Sequence, residues 1–220
     1  MPIIKGLDKL IKYNDRSIKD LTTTPAAAGG GGTGALVHIK TLTASSSATL
    51  DFLNGSSDVV FDDTYPIYKF EFINCHPATD GVNFSFQADT GTNTSYNQTI
   101  TSTNFSAYHG ENGNSGTLSY STGGDKAQAT TFQNLNSTSE IGNNNDQSIS
   151  GELTIYNPSN TTFVKHFMSN TNWNELYDFT GNTYVAGYFN TTTALTRVQF
   201  KMSSGNIDAG KIKLFGILDS

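Results

Sequence analysis

The chain has 220 residues, of which 15% are charged and 35% hydrophobic, with 14 Phe and 10 Tyr supplying much of the apolar content. Its net charge of −6 divides into +2 over residues 1–21 and −8 over the rest. That division argues against a nucleic-acid-binding body, which needs clustered Lys and Arg to neutralise phosphates.

Residues 1–21 form the first predicted element. Ile4, Leu7, Ile11, Asn14, Ile18 and Leu21 recur at 3-4-3-4-3 spacing and fall on one stripe of a helix. Charged residues fill most of the other places. The stripe suits an amphipathic arm that docks on a partner, or a short homomeric coiled coil with Asn14 setting the register. Docking is placed ahead of self-pairing, because the stripe covers fewer than three heptads and Gly6 weakens its first turn. Residues 22–34, rich in Thr, Ala and Gly, read as a flexible linker. Gly29, Gly31 and Gly34 match a dinucleotide fingerprint formally, but no strand precedes them and no helix follows, so the match is set aside.

Residues 35–220 carry strand-like alternation. Leu36, Ile39 and Leu42 open it. Tyr68, Phe70 and Phe72 share a face opposite Lys69 and Glu71. Val82, Phe84 and Phe86 alternate with Asn83 and Ser85, and Tyr96, Gln98 and Ile100 start a further strand. Ile149, Leu153 and Ile155 share a face. Phe163, Lys165 and Phe167 alternate with Val164, His166 and Met168, which predicts a strand covered on both sides. Val198, Phe200 and Met202 make another, and Ile212 and Leu214 belong to the final one. Glu111–Gly124 and Ser137–Gln147 read as long surface loops, where recognition normally sits. About ten short strands with no long helix after residue 21 predict an all-β body, a jelly-roll-like β-sandwich behind the short helical arm and Gly-rich linker.

Chemistry is sparse. His38, His76, His109 and His166 stand in no metal-binding spacing, and only His109, at the mouth of a Gly/Asn loop, is mildly suggestive. Asp58, Asp62 and Asp63 read as a solvated acidic turn in preference to a Ca²⁺ loop. No nucleophile elbow occurs. No catalytic residue, metal or cofactor is expected. Cys75 alone cannot form an internal disulfide, so synthesis in a reducing cytoplasm is expected. No apolar run reaches the roughly 18 residues of a membrane span, and Lys5, Asp8 and Lys9 interrupt any signal-peptide core. Trp173, Tyr177, Tyr184 and Tyr188 lie among Asn and Thr, the mixture on which sugar rings stack and bond. Core filling is the favoured reading of these four, and glycan contact the alternative.

The body resembles virion structural proteins of tailed bacteriophages, especially those of marine phages and cyanophages. The carrying segments are Tyr65 to Thr79, Ala107 to Tyr120, Gly124 to Leu135, Gly151 to Asn170 and Val185 to Ile217. In the last, a Gly-rich hairpin leads into a strand ending Leu-Phe-Gly-Ile. The resemblance spans most of residues 36–217 and carries no catalytic motif. It implies a non-enzymatic appendage or decoration module, made in the host cytoplasm and located in the virion. Its expected partners are capsid or tail proteins reached through the arm, and other copies of itself, with a trimer favoured. No nucleic acid or membrane is expected. The alternative is a host-receptor or glycan-binding module at the tip of a head or tail fibre.

Overall fold

The computed structural model describes residues 36–113, 116–138 and 140–219. The arm stripe Ile4, Leu7, Ile11, Asn14, Ile18 and Leu21 and the linker lie outside the described residues. Leu36–Asp219 make one compact unit.

Among the described residues there are thirteen strands and no helix. They are β1 (Leu36–Thr43), β2 (Leu50–Leu53), β3 (Ile67–Pro77), β4 (Phe84–Thr90), β5 (Ile100–Gly110), β6 (Gly116–Tyr120) and β7 (Lys126–Ala129). Then follow β8 (Gln133–Asn134), β9 (Ile149–Tyr156), β10 (Lys165–Asn174), β11 (Phe179–Phe189), β12 (Leu195–Met202) and β13 (Ile207–Ile217). The larger sheet runs β1-β13-β3-β9-β10-β11-β5-β6, with β7 also paired to β5, and the smaller runs β2-β12-β4-β8. The pairings are antiparallel. The expected all-β body is present, and its two sheets are consistent with a β-sandwich.

The interior explains why a chain so poor in aliphatic residues folds. Phe200 on β12 meets Phe52, Phe84 and Phe86 of its own sheet and Phe70 and Phe72 of the other, with centroids 5.2 to 6.3 Å apart. Phe86, Phe167 and Phe189 extend the cluster under β10 and β11. Edge-to-face and offset-stacked aromatic pairs add roughly 0.5–1.5 kcal/mol each beyond the area they bury.

Three expectations need correction. Glu111–Gly124 is no continuous loop, because Gly116–Tyr120 pairs with β5 as β6. The strand expected to be covered on both sides is covered on one: Lys165 and Phe167 face inward, His166 and Met168 are exposed, and Phe163 lies before the strand and is exposed. Tyr96 and Gln98 precede β5, where Tyr96 takes a positive φ of 49° and Gln98 bonds Asp89. Sequence alternation alone registers neither a local turn nor a polar side chain consumed by a neighbour.

Candidate functional site

Strand register lays side chains across the solvent-facing side of the larger sheet. Tyr120 on β6 pairs with Phe105 on β5, Phe105 with Tyr184 on β11, and Tyr184 with Asn170 on β10. Directly opposed residues share a sheet face, so these four form one transverse row. Phe105 and Tyr184 are stacked, with centroids 5.2 Å apart and an interplanar angle of 14°. They are 42% and 43% exposed. The two rings lie nearly parallel in an offset stack, and their exposed parts place an apolar aromatic platform on this face.

Amides border the platform. Asn182 Nδ2 donates to Asn170 Oδ1 at 2.7 Å and to the Thr171 carbonyl at 2.9 Å. Asn172 Nδ2 donates to Thr180 Oγ1 at 3.0 Å and to the Gly181 carbonyl at 2.9 Å. These bonds fix the side chains and leave the Asn170 amide hydrogens and the Asn182 carbonyl oxygen open. Beyond Asn170 the row continues to Glu152 on β9 and Glu71 on β3. There Lys69 Nζ stands 2.6 Å from Glu152 and 3.5 Å from Glu71. The Glu152 bond holds the Lys69 ammonium above its ordinary pKa. At the other end, Tyr120 Oη donates to Asp125 at 2.6 Å, and that bond raises the phenol's pKa.

A cavity lies towards each end of this stretch of β10 and β11. One, of about 240 Å³, is lined by Ala107, His109, Asn172, Thr180 and Asn182. The other, of about 500 Å³, is lined by Tyr156, Asn160, Phe163, His166 and Thr192. His166 also meets Tyr188, at 5.9 Å between ring centroids.

The outer face of the smaller sheet differs. Asp51 accepts bonds from Tyr96 Oη at 2.6 Å and Gln199 Nε2 at 2.7 Å, while Lys201 covers the Phe132 ring. Burial and the Asp51 bond raise the Tyr96 pKa. Polar groups there largely bind one another.

The four aromatics singled out in the sequence separate. Tyr184 and Tyr188 lie on the outer face of β11, where Tyr184 joins the platform and Tyr188 meets His166, which lines the larger cavity. Tyr177, 71% exposed, sits in the turn between β10 and β11, away from the row. Trp173 is 1% exposed and presents no ring to solvent. Its indole lies over Gly181, where an added Cβ would come within 2.2 Å of it, and its Nε1 donates to Thr183 Oγ1 at 2.9 Å.

Of the other polar candidates, His109 and His166 line the two cavities. His38 packs against Phe215, and His76 bonds the Asn144 carbonyl. Asp62 accepts from the Thr64 amide and Asp63 from Ser159. Among the described residues no three His, Cys, Asp or Glu side chains are grouped to hold a metal ion. Cys75 is buried, which pushes its pKa up to about 12. Phe105, Asn170 and Asn182 were missed by sequence reading, since nothing local marks them and only the β5-β11-β10 register brings them together. No family model, curated protein or solved structure matches the chain.

Proposed function

We propose that the chain is a non-enzymatic structural protein of a tailed-bacteriophage virion. Residues 1–21 hold it to the capsid or tail, residues 22–34 space it away, and a jelly-roll body faces outward in a homo-oligomer, a trimer being favoured. The observation that most supports this reading is strand order. The series β1-β13-β3-β9 and β2-β12-β4-β8 follow the pairing of an eight-stranded jelly roll, in which the chain alternates between two sheets and its halves wind together. Double-sheet jelly rolls serve as viral capsid and lectin domains, and the step from architecture to role is analogy at the level of the fold. The phage-like segments and the striped arm add support from the sequence.

The anchor is tested by assembling particles with a chain lacking residues 1–21. Occupancy on purified particles, read by quantitative mass spectrometry, should fall by tenfold or more, on the order of the avidity lost with one docking element. Full occupancy by the truncated chain would remove the arm's role. A second reading, recognition of a glycan on the host surface, is favoured by the ring and amide row on the larger sheet.

A further inference from the structure

The eight strands in jelly-roll order leave β5, β6, β7, β10 and β11 over. They enter the chain between β4 and β8 and between β9 and β12, and they extend the larger sheet beyond β9. The whole ring platform lies on these added strands: Phe105 on β5, Tyr120 on β6, Asn170 on β10 and Tyr184 on β11. A scaffold that already buries its core through Phe70, Phe84 and Phe200 does not need those outward rings.

We infer that the outer face of β5, β10 and β11 is a binding site for a neutral linear oligosaccharide, with one sugar ring packed on the exposed part of the Phe105–Tyr184 stack. Three features select this ligand. A pyranose has an apolar face that suits the exposed part of an aromatic ring and a hydroxyl rim that both donates and accepts. The platform's border offers both complements, the open Asn170 amide hydrogens and the open Asn182 carbonyl oxygen. Among the row's described residues, charge begins at Glu152, which Lys69 engages, and beyond the other end stands Asp125, which accepts from Tyr120. An acidic sugar thus finds no free cation beside the rings.

The length also fits a chain in preference to a single sugar. At about 3.4 Å per residue, Thr180 to Tyr188 spans about 27 Å along β11. The cavity of about 240 Å³ at Thr180 and Asn182 lies at one end, and the cavity of about 500 Å³ at His166 and Phe163 at the other. Each can take a further ring. The inference rests on the recognition reading and not on the virion one. A chain that bound sugar yet formed no part of a particle would leave it standing.

The test uses the full 220-residue chain, titrated calorimetrically with cellohexaose, maltohexaose and mannohexaose, with hexagalacturonic acid as the acidic comparison. At least one neutral hexaose should bind, and more tightly than the acid. Phe105→Leu and Tyr184→Leu each keep an apolar side chain and remove a ring, so each should weaken binding about tenfold, and the pair together further. Tyr177→Ala, in the hairpin turn, should bind as the parent does. Three results would overturn the inference. One is no neutral hexaose bound at millimolar concentration. Another is binding indifferent to both leucine variants. The third is a chain that binds no sugar but changes from oligomer to monomer with those variants, which would make this face a contact between copies.

Discussion

Gly181 shows how a single missing side chain places a distant one. Trp173 pairs with Gly181 across β10 and β11, and its indole occupies the space a Cβ would need. With Nε1 held by Thr183, the tryptophan fits one register only. A one-residue slip would turn Tyr184 into the core. The buried indole therefore keeps the exposed ring outside, although it cannot itself touch a ligand. Replacing Gly181 by Ala should displace the indole and cost about 2–4 kcal/mol, in the range of strongly overpacked interiors. Trp173 is the sole tryptophan of the chain, so its emission should shift to the red as urea unfolding moves to lower concentration. Unchanged emission and midpoint would refute the register role. Gly187 leaves similar room for the Phe167 ring.

Among the elements, β4 departs furthest from simple alternation. Phe84, Phe86 and Ala88 enter the aromatic core, yet Ser85, Gln87 and Asp89 on its other face are buried too. Chain that follows β4 covers them. Gln87 Nε2 donates to the carbonyls of Gln98, Thr130 and Thr131. The Asp89 carboxylate accepts from the amides of Thr90 and Tyr96 and from the side chains of Asn93 and Gln98, all within 2.9 Å. Asp89→Ala would strand several of these donors, and about 3 kcal/mol of stability should go with them. Residues 91–99 should then become the first site of limited proteolysis. Wild-type resistance there would count against the account. The sequence displayed the alternation of Phe84 with Phe86 and of Tyr68 with Phe72, hence the strands and their apolar faces. It could not display the buried polar face of β4, because Gln and Asp are ordinary surface residues until a particular segment closes over them. The ring platform was half legible for a related reason: Tyr184 stood out among Asn and Thr, while Phe105 gains meaning only from register.

At the scale of the whole molecule, burial sets the response to alkali. Cys75 is raised from 9.0 to about 12 and Tyr68 from 10.0 to about 12, each chiefly by desolvation. A group the fold holds neutral, but which ionises freely once unfolded, contributes stability that is whole below its unfolded pKa. That contribution is lost as pH rises through the interval to the folded value. Urea midpoints should stay level for these groups up to about pH 9 and fall from there toward pH 12. Cys75→Ala should start lower by about 1 kcal/mol for the lost packing and then fall less steeply. A curve parallel to the wild type would show that the thiol plays no part. Strand order carries a different consequence, in time. β13 lies between β1 and β3, so two strands made early are joined only through one made late. While residues 207–217 are still being synthesised, β1 has no partner strand and β3 is paired only with β9, so the nascent chain carries open strand edges able to recruit other chains. Closure depends on contacts between distant parts of the chain, which form slowly. The larger sheet should therefore close only after residues 207–217 have emerged, and the yield of folded protein should depend on chaperones that keep those edges apart until β13 arrives.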